Sequence, residues 1–324
     1  MKRDDWKRAA VLVMAGLMLS GSASALFGKK TEMAAEGAPE VRDLTITTYR
    51  EIPYSAQFVA SDGEGEDLTF ALVDEPRKGT VSIDGVNFTY TPKEGATGGD
   101  SFTYTATDST GKTSHPATVT VTIQKTRSGV TYADTDAKSA YAAQEMAEEG
   151  IFTGTKIGGQ YYFEPERGVS RSEFLAMTME MAGRNVTAVT MTGFADDEAI
   201  PTWAKAYAAA GVADGIIQGS ATAAGAAFRG AEAITFSEAA AVLDRVLEIE
   251  NVDLEVWYED REGVPDWAAQ AVGNMEAVSV LEAGSFGGGA LSQTVSRADA
   301  AQMLLSARAL MKGEQSRDPF DWLK

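Results

Sequence analysis

The sequence predicts a multidomain protein in which an all-β sandwich precedes an all-α repeat array. Three observations carry this. From about residue 41 to 124, apolar residues alternate with polar ones, the period of half-buried strands. Between residues 130 and 311 one pattern is written three times, opening at Tyr132-Ala133-Asp134, Phe194-Ala195-Asp196 and Tyr258-Glu259-Asp260. The spacing is nearly constant, 62 residues from Asp134 to Asp196 and 64 from Asp196 to Asp260. Such self-similarity marks repeats that bury their apolar faces against one another.

The chain opens with Lys2, Arg3, Lys7 and Arg8, then the apolar run Ala9 to Leu19, then Ala23-Ser24-Ala25. This is the layout of a cleaved secretory signal, residues 1–25, followed by a patternless leader, 26–40. The apolar run is too short to span a bilayer. The mature chain is therefore expected to be secreted and without a transmembrane segment. Of the 324 residues, 44% are apolar and 23% charged, a globular balance. The net charge of −19 argues against a nucleic-acid partner. There are no cysteines, which excludes disulfides, thiolate metal sites and thiol catalysis. His115, the sole histidine, precedes Pro116 in a turn. One turn histidine supports neither an HExxH zinc site nor a Ser-His-Asp set. No catalytic residue, cofactor or metal is assigned.

The strand region is read from alternating sets: Leu68, Phe70 and Leu72; Phe88 and Tyr90; Phe102 and Tyr104; Val119, Val121 and Ile123. Turn signals separate them at Asp62-Gly63, Lys78-Gly79, Asp84-Gly85 and Thr110-Gly111. About seven short strands predict an antiparallel sandwich over 41–124. The runs Ala60-Ser61-Asp62, Pro76-Arg77-Lys78-Gly79-Thr80-Val81, Phe88-Thr89-Tyr90-Thr91-Pro92 and Gly99-Asp100-Ser101-Phe102-Thr103-Tyr104 resemble bacterial Ig-like, cadherin-like repeats. The resemblance implies a spacer or adhesive unit with a possible protein partner. Asp62, Glu64, Glu66 and Asp67 offer carboxylates to a hard cation or make a solvated acidic turn. Proximity alone does not give six convergent oxygens.

Residues 125–131 form a basic, Gly-containing link. Three repeats follow, at 130–190, 191–252 and 255–311, and then a tail, 312–324. Each begins with a helix. Pro201-Thr202-Trp203-Ala204 and Pro265-Asp266-Trp267-Ala268 place proline in a first turn, where its missing N–H costs nothing. Trp203, Ala206, Tyr207 and Ala210 recur at helical spacing and predict one apolar face. The helices close near Gly150, Gly215 and Ser279, each followed by an apolar pair. A second helix starts at a capping box: Ser170 with Glu173, Thr235 with Glu238, and Ser296 with the shorter Asp299. Behind the caps, Phe174, Met177, Thr178 and Met181 and their counterparts read as core.

The caps put Arg171 and Arg297 at the first helical position, where free N–H groups and the positive helix end are expected. A guanidinium there is either a carboxylate or phosphate receptor, or an exposed arginine paired with a nearby acid.

Taken together, the aromatic-x-Asp opening, Trp203-Ala204, Gly215-Ile216-Ile217-Gln218-Gly219, Gly150-Ile151-Phe152-Thr153-Gly154, Ser170-Arg171-Ser172-Glu173 and Ser296-Arg297-Ala298-Asp299 resemble the S-layer homology (SLH) repeat. The resemblance implies a pseudo-threefold bundle whose inter-repeat grooves bind a peptidoglycan-linked polysaccharide, often pyruvylated. It implies that Arg171 and Arg297 grip the ketal carboxylate. Asp134, Asp196, Asp260, Trp203 and Trp267 would line or shape the grooves, with Gly154 and Gly219 admitting the glycan. Three departures predict unequal grooves: Phe236 for arginine, Lys138 for tryptophan and Ala283 for glycine. The expected protein is noncatalytic and anchored at the cell wall, in the S-layer. The alternatives are an adhesin whose sandwich binds an external partner and, with no segment left to house an active site, a wall hydrolase.

Overall fold

The computed structural model describes residues 37–63, 65, 67–254, 265–281 and 291–313. The signal segment and most of the leader, Glu64, Glu66, Asp260, Ala283 and most of the tail lie outside these residues. The chain divides into two compact units, 1–144 and 145–324.

The first unit is a two-sheet sandwich. Its strands are β1 (Glu40–Val41), β2 (Leu44–Tyr49), β3 (Tyr54–Gln57), β4 (Ala60–Ser61), β5 (Thr69–Asp74), β6 (Gly79–Asp84), β7 (Asn87–Pro92), β8 (Gly98–Thr107) and β9 (Ala117–Gln124). One sheet runs β2-β9-β8-β5 and the other β3-β7-β6, with β1 and β4 paired apart. The antiparallel expectation is corrected at one edge. There β2 runs parallel to β9, from Leu44 opposite Val119 to Tyr49 opposite Gln124. Alternation cannot reveal this, because both kinds of ladder send alternate side chains to one face.

The alternating residues fill the space between the sheets. Phe88, Tyr90, Phe102, Tyr104, Val119 and Val121 are buried, and Phe58 stacks on Phe70, Phe88 and Tyr104 at 4.4–4.9 Å between centroids. Tyr104 donates its hydroxyl to the Arg42 carbonyl at 2.6 Å, and its burial pushes the phenol up to about 12. Asp84-Gly85 is a hairpin turn, as its sequence says, but Lys78-Gly79 is not one. Gly79 opens β6, and a Cβ there would stand 2.4 Å from carbons of the Tyr90 ring. The ring, rather than a turn, requires glycine.

In the second unit, helix α1 (Ala140–Glu148), through which the unit boundary falls, leads to hairpin β10 (Thr155–Ile157)–β11 (Gln160–Tyr162) and helix α2 (Arg171–Met181). The next repeat gives α3 (Thr202–Ala213), hairpin β12 (Ser220–Thr222)–β13 (Gly225–Ala227) and α4 (Phe236–Leu247). The third gives α5 (Ala269–Ala277) and α6 (Arg297–Met311). The hairpins correct the all-α expectation. Gly158 and Gly159, at φ 58° and 90°, make the two-residue turn that joins β10 to β11.

The repeats share their local chemistry. The first helices stop at left-handed residues, Gly150, Gly215 and Ser279, at φ 71°, 72° and 56°. The apolar pair that follows bonds back to one carbonyl, of Met146, Gly211 or Met275. All three second helices carry complete reciprocal capping boxes, the Asp299 version included. The core stripes are buried as read, but the α3 face is corrected. Its buried residues are Ala204, Ala208 and Gly211, and Trp203 stands outside, half exposed.

Backbone bonds close the three repeats on one another. Val169 N–H donates to Val295, Val295 to Ile234 and Ile234 to Val169, each at 2.9 Å. The second helix of each repeat meets the first helix of the next. Tyr207 donates to Glu180 at 2.5 Å between α3 and α2, and Asn274 to Asp244 at 2.9 Å between α5 and α4. The third contact returns to the start, where Arg308 of α6 is ion-paired with Glu145 and Glu149. The hydrogen bond to Glu180 also pushes the Tyr207 phenol up to about 12, with burial adding to it.

Candidate ligand site at the inter-repeat junctions

The junctions form where the start of a second helix meets the loop of another repeat. The expected free N–H groups are not there. Arg171 N–H donates to Glu232 O and Ser172 N–H to Gly230 O. Phe236 and Ser237 donate to Gln293 and Leu291, and Arg297 and Ala298 to Arg167 and Pro165. The cap side chain takes the next donor in each helix. These helix ends are consumed by repeat-to-repeat bonding, so any anion must be held by side chains.

The two arginines fare differently. Arg297 is buried, with its side chain 6% exposed. Its guanidinium donates to Phe163 O at 2.8 Å and Glu164 Oε2 at 2.7 Å and lies 4.8 Å over the Phe152 ring. This is a structural role, and it corrects the reading of Arg297 as an open receptor. Arg171 is less enclosed, at 16% exposed. Its Nε donates to Phe228 O at 3.0 Å, and Nη1 pairs with Glu238.

Phe163 and Phe228 are counterparts, as are the next residues, Glu164 and Arg229, both left-handed at φ 56°. At the junction of the third and first repeats, Glu164 locks Arg297, and Arg167 takes Glu173 at 3.1 Å. At the junction of the first and second, the matching residues are Arg229 and Glu232, with the charges exchanged. Arg171 therefore finds no acid at position 229 and turns to Glu238 of the capping box. Arg229 is exposed, and its guanidinium has no ion-pair or hydrogen-bond partner among the described residues. At the junction of the second and third repeats, Phe236 stands in the arginine position.

The other expected site residues are mostly structural. Asp196 accepts from Phe228 N at 2.8 Å and Arg229 N at 2.7 Å, so both oxygens hold the loop instead of facing a groove. Gly219, at φ 74°, admits the Phe194 ring rather than a glycan. A Cβ there would be 2.6 Å from that ring and 2.8 Å from Ala227 O. Gly154 is left-handed at φ 67°, and Asp134 is half-buried. Trp203 and Trp267 are 52% and 62% exposed, so neither anchors the core. Sequence reading missed Arg229 and Glu164, and took Glu238 for a cap without its pairing to Arg171. Aligning the repeats would have exposed the 164/229 charge exchange.

Asp197, beside the Asp196 clamp, accepts from Lys205 Nζ at 2.6 Å and from the hydroxyl and N–H of Thr192. These donors hold its carboxyl down at about 2. Its contribution to stability is complete above the ordinary value of 3.8 and is lost as pH falls through about 2. Carboxyl NMR titration should show that low midpoint, and Lys205→Met should move it up toward 3.8. An unmoved midpoint would remove Lys205 as the main cause.

A family model described as a bacterial Ig domain matches residues 36–123. No curated protein matches the chain. Among solved structures, the chain is similar to endo-fucoidan hydrolase MfFcnA4 of glycoside hydrolase family 107, at 22% identity over 28% of this chain and 14% of that one, TM-score 0.23. It is similar to an SrpA adhesin variant from Streptococcus sanguinis at 16% identity, over 37% and 78% of the chains, TM-score 0.22. It is also similar to the fibronectin(III)-like modules of Clostridium thermocellum CbhA at 15% identity, over 30% and 53%, TM-score 0.21. The chain spans about a seventh of the fucoidan hydrolase's length. Scores of this size carry no argument about function. A bacterial Ig domain fits a protein of the cell surface. Among the described residues no helix is long and apolar enough to cross a membrane.

Proposed function

We propose that this is a noncatalytic cell-surface protein. Its helical unit, of the SLH type, holds a peptidoglycan-linked acidic polysaccharide and carries the Ig-like sandwich at the wall. The observation that supports the reading most is the closed set of three backbone hydrogen bonds among Val169, Ile234 and Val295. It relates three capped helices around one centre and creates three like junctions, the arrangement the SLH resemblance calls for. Half-exposed aromatic side chains, Trp203 and Trp267, are suited to stacking on sugar faces.

The test is co-sedimentation of the full chain with cell walls of the source organism, before and after chemical removal of the attached polysaccharide. The protein should pellet with intact walls and stay in solution with stripped ones. Equal behaviour in the two would sink the reading. Release of reducing sugars or peptides would replace it with a wall hydrolase.

A further inference from the structure

We infer that the junction between the first and second repeats is the one arranged to take the anion, with Arg229 as its principal contact and Arg171 beside it. The inference rests on the wall-binding reading above and names the groove and the cation within it. The ligand class is a sugar bearing a carboxylate.

Three observations converge on this junction. The first is the charge exchange. Glu164 closes the junction of the third and first repeats by pairing with Arg297 at 2.7 Å. Its counterpart Arg229 cannot do so for Arg171, and like charge keeps the two guanidinium groups from satisfying each other. The net charge of the two sets is the same, because Glu232 stands where Arg167 does; what differs is that the Arg229 guanidinium has no partner among the described residues.

The second observation is access. The Arg171 side chain is 16% exposed against 6% for Arg297. The third is the Ser172 hydroxyl. Ser172 is 2% exposed and its Oγ has no hydrogen-bond partner among the described residues. It lies against Gly230, next in sequence to Arg229, and a Cβ on Gly230 would come within 2.3 Å of it. The matching hydroxyl of Ser237 is satisfied by Leu291 O at 2.9 Å, and the third repeat has Ala298 instead. An unsatisfied buried hydroxyl is rare and marks this junction as unlike the others.

The test uses the full chain and intact cell walls. Arg229→Glu places an acid opposite Arg171, as Glu164 is placed opposite Arg297, in a backbone conformation that Glu164 already adopts. Apparent affinity should fall about tenfold or more, the usual consequence of losing a charge-assisted bond to a carboxylate. Arg229→Lys should stay within a few-fold of the parent. So should Arg184→Glu, which makes the same charge change at an exposed residue just beyond α2. Parent-like binding by Arg229→Glu overturns the choice of groove and leaves wall binding intact. An equal loss from Arg184→Glu overturns it too, by showing a response to overall charge alone. A parent protein that fails to pellet overturns the wall-binding reading itself. If Arg229→Glu melts below the parent, Arg229→Gln decides in its place by the same criteria.

Discussion

Phe228→Ala should destabilise the helical unit by about 3–5 kcal/mol, the usual cost of deleting a fully buried aromatic ring. Phe228 is 1% exposed and stacks on Phe194 at 5.5 Å between centroids. Its backbone is held by Asp196, its carbonyl accepts from Arg171, and its ring edge lies where a Cβ on Gly230 would be. One residue therefore supports the loop that presents Arg229 and the floor on which Arg171 rests. Urea unfolding followed by helical circular dichroism measures the loss. A change below about 1 kcal/mol would mean the loop repacks without its ring.

Arg297→Ala should cost about 2–3 kcal/mol. Breaking a buried ion pair costs about 3–5 kcal/mol when the remaining charge stays buried. Here Glu164 is 43% exposed and can rehydrate, so the lower part of that range is not reached. What remains is the lost charge-assisted donation to Phe163 O and the lost contact over Phe152. Arg171→Ala should cost less, about 1 kcal/mol, because its guanidinium is better hydrated, 16% exposed against 6% for Arg297. The same urea experiment compares them. Equal costs would contradict the assignment of a structural role to Arg297 and an accessible one to Arg171.

Much of the architecture was legible in the sequence because it rests on local chemistry. Alternation located the inward faces of β7, β8 and β9, since each burial follows from strand period. The Ser170, Thr235 and Ser296 boxes located three helix starts to the residue, because the cap is made by side chains three positions apart. The parallel pairing of β2 with β9 was not legible, since strand direction depends on a partner some 75 residues away. Nor were the uses of Asp196, Gly219 and Arg297. Each residue type suits a ligand, but each is engaged by a distant loop or ring of the same chain. Asn274 makes the point most fully. It is one of three polar residues in α5, with Gln270 and Glu276, yet it is fully buried and bonded to Asp244, Asn251, Val252 and Gln270. Burial raises the Asp244 carboxyl above its ordinary range. Repeats built on one plan can exchange charges at matching loop positions, and the exchange carries meaning only once the junctions are assembled.

On the proposed reading, a sugar carboxylate is held by arginine side chains of the helical unit. Calorimetric titration of the full chain with the released wall polysaccharide, intact or with its carboxylates chemically reduced to alcohols, tests it most directly. The intact glycan should bind saturably, and reduction should abolish that binding. Undiminished binding of the reduced glycan, or no binding of the intact one, would contradict it.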